Sequence, residues 1–296
     1  MLRYISSGRV IRKRFLSSLH PAAASGFSKD NVARYEAARP SYTDEVLNLL
    51  MNIIVPSAEG NQSPNKPEYS LCELGAGTGK FTHSFLDYVR RNRNIACKFN
   101  YLAVEPSDFA HHLEGLSSSI TVKRGFGENI PTSDDSTDAV MIAQAFHWMA
   151  NESCLKEIHR ILKPGSPLIL VWNGYDSDID WIRRFESDII VPHYTPDVPR
   201  YQSMEWRHVF ESNTTRSLFS PLRTEHFVNA TVGPIEMVVG RALSTSVIAS
   251  KNEDERRAIE EQVYELLRTH PDTKHIDKNG QYNLQYRTLV AYTRAL

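Results

Sequence analysis

The chain has 296 residues, 41 % hydrophobic and 23 % charged, with a formal net charge of −1. This is ordinary soluble globular composition, enough for one large domain with a core, and no apolar run approaches the roughly 20 residues that a membrane helix needs. Five cations (Arg3, Arg9, Arg12, Lys13, Arg14) and no acid fall in residues 1–26, so the remainder is more acidic than the net charge suggests, which argues against a nucleic-acid partner bound through its phosphates.

The first stretch, MLRYISSGRVIRKRFLSSLHPAAASG, is basic, Ser-rich and acid-free. That composition suits a mitochondrial transit peptide or a basic tail outside the fold. It leaves the location cytoplasmic or mitochondrial, with the folded domain expected over 27–296. TDEVLNLLMNII (43–54) has helical apolar spacing with Thr43 placed to cap it. SAEGNQSPNKPEYS (57–70) reads as a loop. SLCEL (70–74) is a first strand, and a helix is expected from Lys80 to Val89. NYLAVE (100–105), ITVKR (120–124) and DAVMIAQ (138–144) follow as strands. Asp134, Asp135 and Asp138, before the last of these, read as a solvated turn. His111 and His112 read as surface residues.

NESCLKEIHRILKPG (151–165) is a helix that Asn151 can cap and Gly165 follows. PLILVWN (167–173) is the fifth strand. Strands that are continuous apolar runs, alternating with helices, predict a parallel sheet covered on both faces, an α/β fold of the doubly wound kind. After Asn173 the pattern is helical until Pro192, then rich in Trp, Tyr, Arg and His. We expect 174–220 to be an insertion on the substrate side. Its arginines (Arg183, Arg184, Arg200, Arg207) would meet an anionic or aromatic ligand or form a solvated face. RTEHFVNATV (223–232) and QYRTLVAYTRA (285–295) complete a seven-stranded, mostly parallel sheet, with helices at 234–243 and 253–270 between them.

Cys72, Cys97 and Cys154 are scattered and form no CxxC pair. No disulfide framework, zinc site or iron–sulfur cluster is suggested, and a reducing compartment is the natural reading.

The first strand runs into ELGAGTGKF, with Glu73, Gly75, Gly77 and Gly79. A dinucleotide fingerprint would put a third glycine at position 80, where Lys80 stands, and no P-loop follows. The spacing suits a loop around a nucleoside carrying an amino-acid tail. Here the sequence resembles the class I S-adenosylmethionine-dependent methyltransferases. ELGAGTG is similar to their first motif and AVEP (103–106) to their second, in which an acid holds both ribose hydroxyls. Glu105 stands at that position, followed by Pro106. GFGENIP (125–131) resembles the segment that frames adenine, with Phe126 where many members carry Asp, and Gly127 beside it.

STDAVMIAQAFHWM and EIHRILKPGSPLILVWN continue the resemblance. FSKDNVARYEAARPSY (27–42), RALSTSVIAS and YRTLVAY are similar to the type 11 subgroup that carries QAFHW, which includes trans-aconitate methyltransferase relatives. The resemblance implies S-adenosyl-L-methionine as cofactor, held by Tyr35, Arg39, Glu73, Gly75, Gly77, Gly79, Glu105, Pro106, Phe126, Gly127 and Gln144. It implies a small-molecule acceptor, with anionic ones included, facing His147 and Trp148, and no metal. Methyl transfer to an oxygen or carboxylate would be an in-line displacement governed by positioning. His147 would orient the acceptor or, for a hydroxyl or thiol, act as base. A cofactor-binding assembly or regulatory protein without turnover is the other reading. A nucleic-acid methyltransferase is disfavoured by charge and by the lack of an Asn-Pro-Pro-Tyr-like fourth motif. Oligomeric state is left open.

Overall fold

A computed structural model of the chain describes residues 38–55, 57–58, 61–64, 67–95, 97–107, 113, 120–275 and 279–296. The basic N-terminal stretch, Tyr35, and His111 and His112 lie outside these residues.

Helix α1 (Asp44–Ile54) begins where Thr43 accepts a hydrogen bond from the Val46 amide, and it buries Val46, Leu47, Leu50, Met51, Ile53 and Ile54. The Pro/Asn/Ser-rich stretch after it is not wholly a loop. Ser57–Ala58 and Asn61–Pro64 pair as a short antiparallel hairpin. The main sheet then forms from β1 (Glu68–Leu74), β2 (Lys98–Val104), β3 (Ile120–Lys123), β4 (Ala139–Ala143), β5 (Pro167–Tyr175), β6 (Arg223–Gly233) and β7 (Tyr282–Arg294).

Its order is β3-β2-β1-β4-β5-β7-β6. The first five strands pair in parallel. β7 runs antiparallel to both neighbours, β5 and β6. The seven-stranded, mostly parallel sheet expected from the apolar runs is therefore present. Every residue of β4 and β5 is buried, as continuous apolar strands at the centre of a two-sided sheet must be.

Alternate residues of these strands feed two cores. α1 and α2 (Lys80–Arg91) pack on one face with Leu71, Met141, Ile169 and Val171. α3 (Glu152–Ile161) packs on the other with Cys72, Val140, Ile142, Leu170 and Trp172. Asn151 caps α3 by accepting from the Cys154 amide at 2.9 Å. A third cluster lies past the end of β5. There Tyr175 and Tyr286 meet Trp181, Ile182 and Phe185, together with α5 (Ile235–Leu243) and α6 (Glu253–Thr269).

Three expectations need correction. β4 stops at Ala143, because Gln144 adopts the left-handed region (φ +60°) and turns the chain out of the sheet. β5 continues to Tyr175, since β7 pairs with it as far as Tyr286. Pro192 does not end the helical run that starts with α4 (Asp180–Arg184). The run passes through a π-type stretch at Phe185–Ile190 into a 3₁₀ turn at Val191–His193, and Pro192 fits in its first turn, where no amide donor is needed. Residues 176–222 connect β5 to β6 through this run and further short helical turns.

Asp138 is also not solvated. It is 7 % exposed and accepts from the Ser70 amide at 2.8 Å and from Lys163 at 2.9 Å. The ion pair ties the start of β4 to the turn after α3. Asp134 pairs with Arg160 at the surface.

Candidate active site

The carboxyl ends of β1, β2 and β4 open on one edge of the sheet, the usual place for a ligand in an open α/β fold. After Leu74 the chain turns through Gly75, Gly77 and Gly79, all at positive φ (+74°, +54° and +88°). Glycine takes this region without strain. At Gly75 a side chain is also excluded by space, because a Cβ would lie 2.8 Å from the Cβ of Ala145. The glycine loop and the QAFHW turn are thus packed together. The Gly77 amide donates to Oε2 of Glu105 at 2.8 Å, joining the loop to the end of β2. The other carboxylate oxygen accepts from the amide and hydroxyl of Ser107 (3.0 and 2.6 Å).

A cavity of about 200 Å³ lies over this edge. Glu73, Gly75, Gly77 and Glu105 line it, together with Pro106, Phe126 and Gly127. Arg39, Gln144 and Trp148 also line it. The structure therefore gathers the expected cofactor residues, with two exceptions. Gly79 does not line the cavity but caps the N-terminus of α2. Tyr35 lies outside the described residues. Glu128 accepts from the side chain of Asn151, which caps α3, and also lines the cavity.

Glu73 is 1 % exposed, and its Oε2 accepts from Thr82 (2.5 Å) and Tyr101 (2.6 Å). Burial raises its pKa to about 7 against those two hydrogen bonds, with the Glu105 charge adding to the rise.

A second chamber of about 80 Å³ shares Arg39, Gln144, Trp148, Asn173 and Arg241 with the first. His147 lines this chamber and not the larger one. It sits in a 3₁₀ turn, Phe146–Trp148, and its Nδ1 accepts from the indole nitrogen of Trp172 at 3.2 Å. Burial, and then the Arg39 charge, push its pKa down to about 3, so the ring is neutral at pH 7.

Several residues of the chamber were not expected from the sequence. Arg241, from α5, is 6 % exposed, donates to Thr245 at 3.2 Å and stacks over Tyr175 at 4.7 Å. Glu186 accepts from Gln202 at 2.8 Å. Arg200, one of the arginines that the sequence did single out, packs over Tyr194 at 4.7 Å. Its Nε and the hydroxyl of Tyr175 are buried without a hydrogen-bond partner among the described residues. Of the four arginines singled out between β5 and β6, only Arg200 lines the chamber. Arg183 and Arg184 pair with Asp180 at the surface, and Arg207 lies over Trp206.

The roof comes from the segment before α1. Arg39 donates to the Ser244 carbonyl at 2.9 Å. The Ser41 carbonyl accepts from Asn229 (2.7 Å) and Asn173 (3.4 Å). Asn173 is held in turn by Thr288, which donates to its Oδ1 at 2.6 Å. Among the described residues no cluster of His, Cys, Asp and Glu could hold a metal ion, and no helix is long and apolar enough to cross a membrane.

Residues 72–170 match the family profile described as "Methyltransferase domain". A methyltransferase-like protein of Schizosaccharomyces pombe, itself uncharacterized, is 31 % identical over 270 residues, 88 % of this chain and 93 % of that protein. An uncharacterized methyltransferase of Mycobacterium tuberculosis is 33 % identical over 153 residues, 51 % of this chain and 54 % of its own. Among solved structures, a protein of Anaeromyxobacter dehalogenans described as a type II methyltransferase superposes with a TM-score of 0.52 at 18 % identity, covering 87 % of this chain and 97 % of the other. One from Anabaena variabilis, described as a methyltransferase of an antibiotic biosynthesis pathway, gives 0.52 at 17 % identity, covering 86 % and 98 %. At such identities the structural likeness speaks for the fold.

Proposed function

The chain belongs to the methyltransferase-domain family, and from that premise we propose that it transfers the methyl group of S-adenosyl-L-methionine to a small anionic acceptor, at an oxygen or carboxylate. The lining of the larger cavity supports the cofactor reading. A Cβ at Gly77 would meet open space in place of protein, leaving the loop clear for a ligand. The Glu105 carboxylate, already oriented by three hydrogen bonds from Gly77 and Ser107, keeps one lone pair on Oε2 for a ribose hydroxyl. Phe126, Pro106 and Gly127 offer an apolar slot for a flat base. Phe126 supplies no carboxylate, so backbone groups and packing would hold that base. Bound there, S-adenosyl-L-methionine supplies an electrophilic methyl on a sulfonium.

The chain's own contribution is placement. The observation that carries the reading is the second chamber, which adjoins the first at Arg39, Gln144, Trp148 and Arg241, residues that line both. Its charged lining consists of Arg39, Arg200 and Arg241 against the one carboxylate of Glu186, among the described residues. Buried guanidinium groups recognise carboxylates through paired hydrogen bonds. Tyr175 adds a hydroxyl with no protein partner among the described residues. An acceptor gripped here would lie beside the methyl donor at the residues the two cavities share, and holding two reactants in line is worth several orders of magnitude in rate.

The test is transfer of labelled methyl from S-adenosylmethionine to a panel of small carboxylates, alcohols, phenols, thiols and amines, with Arg200→Met, which changes only the second chamber, beside the parent. Labelled carboxylate esters, reduced 10-fold or more in the variant while cofactor affinity is kept, are the expected result. Tight cofactor binding with no acceptor methylated, or labelled amines alone, would overturn the reading.

A further inference from the structure

We propose that Trp172 sets the chemistry of the second chamber through His147: its indole N–H fixes the imidazole as the neutral tautomer with the proton on Nε2, so that His147 offers the acceptor a hydrogen-bond donor and no base. This rests on the acceptor assignment above and narrows it.

The argument begins with hydrogen-bond capacity. An indole nitrogen donates and cannot accept. Its partner, His147 Nδ1, must therefore present a lone pair across the 3.2 Å contact. A neutral imidazole has one N–H, so the proton is on Nε2. Protonating Nδ1 would set two N–H groups against each other. The contact itself thus disfavours the cation, in the same direction as burial and the Arg39 charge.

Trp172 is held in this pose. It is fully buried, stacked on Tyr201 (5.8 Å, 15°) and against Trp206 (4.5 Å). Among the described residues His147 has no second hydrogen-bond partner, which leaves Nε2–H for the chamber.

The groups around His147 give it no route to act as a base. Arg39, Arg200 and Arg241 come from the segment before α1, the β5–β6 connection and α5, and the Arg39 charge opposes protonation of the ring. Burial pushes the hydroxyls of Tyr175 and Tyr201 up, so both keep their protons. Tyr194 also faces the chamber. Glu186 is its one acid among the described residues. A nucleophile that must first lose a proton finds no help from His147. A carboxylate brings its lone pair ready and needs only to be held.

Trp172 is thus a positioning residue and His147 a donor. The decisive measurement is nitrogen NMR of the full-length protein with labelled histidine, the His147 signals being identified by their loss in His147→Asn. A neutral ring protonated at Nε2 from pH 5.5 to 8 is expected. Trp172→Phe should give mixed tautomers and a pKa nearer the ordinary value of about 6.5. If that variant does not fold, the parent spectrum alone decides. A ring protonated at Nδ1, or one that titrates near 6.5 in the parent, overturns the proposal.

The kinetic arm separates donor from base. His147→Gln keeps an N–H and should retain kcat/KM within about 10-fold, whereas loss of a base costs roughly 100-fold or more. His147→Leu should lose both the donor and most of the activity. A parent kcat/KM that is flat from pH 6 to 8 agrees with a donor, and one that rises with the fraction of neutral His147 overturns it. Failure to find any carboxylate acceptor would sink the assignment in the preceding section, and the NMR result would still judge the tautomer.

Discussion

The phenol of Tyr201 rests directly on the backbone of Gly174, so closely that a methyl group at residue 174 would overlap its oxygen. Glycine inside a buried strand is unfavourable unless something needs the space, and here an aromatic ring from the β5–β6 connection occupies it. The same ring stacks on Trp172. Gly174→Ala should therefore push Tyr201 off Trp172 and deform the second chamber while leaving the glycine loop intact. We expect cofactor affinity within about 3-fold of the parent, acceptor kcat/KM lower by 10-fold or more, and a stability loss of about 1–3 kcal/mol. Calorimetry and steady-state kinetics read the two sites separately. An equal loss at both would contradict this division.

Glu73 links stability to pH. Its folded-state pKa, raised to about 7, stands above the ordinary 4.5. Between those values the folded protein keeps a proton that the unfolded chain releases, so stability from this group is full below about 4.5 and is lost as pH climbs through 7. The cofactor-free protein should lose on the order of 3 kcal/mol over that window relative to Glu73→Gln, which has no proton to keep. Melting temperatures of the two proteins from pH 4.5 to 8 provide the check, and parallel curves would refute it.

Glu105→Gln keeps the shape of the side chain and breaks its logic. Both carboxylate oxygens accept, one from Gly77 and the other from Ser107. An amide turns one of those ends into a donor facing a donor. Cofactor affinity should fall roughly 10- to 100-fold with circular dichroism unchanged, measured by titration with S-adenosylhomocysteine. Unaltered affinity would remove Glu105 from the site.

Asp138→Asn addresses the scaffold alone. The carboxylate is buried and holds both the Ser70 amide and Lys163. Its loss weakens a charge-assisted pair, and a partly exposed Lys163 limits the damage to about 1–3 kcal/mol. Denaturant unfolding should shift accordingly while the rate per folded molecule stays the same. A selective drop in rate would mean that this end of β4 communicates with the site.

The legible part of the fold was what local chemistry fixes. Apolar runs such as PLILVW, short and set between helical patterns, read as buried strands, and three glycines in five residues mark backbone that other residues resist. Glu105 was legible because an acid after an apolar strand and beside such a loop has few other uses. The turn at Gln144 was less so, since a left-handed glutamine leaves no mark on a strand pattern. Arg241 and Tyr175 were hidden for another reason. Their setting depends on Arg39 reaching Ser244 across 205 positions, and on α5 packing where β5 outruns Asn173. Asp138 looked solvated beside Asp134 and Asp135 because its partners, Ser70 and Lys163, sit far away in the chain.

The place of β7 bears on how the molecule assembles. It follows β5 and β6 in the chain yet lies between them in the sheet. β6 therefore has no edge to join until β7 has been made, while β1 to β5 pair with one another without it. The strands that carry the glycine loop, Glu105 and the His147 turn can come together early on a ribosome. Arg241 belongs to the later part, which completes the second chamber once β7 has paired with β5 and β6 has joined β7. Birth order thus dates the site, and the glycine loop expected to bind the methyl donor is older, by the time it takes to synthesise the rest, than Arg241, the last-made charge among the residues the two cavities share.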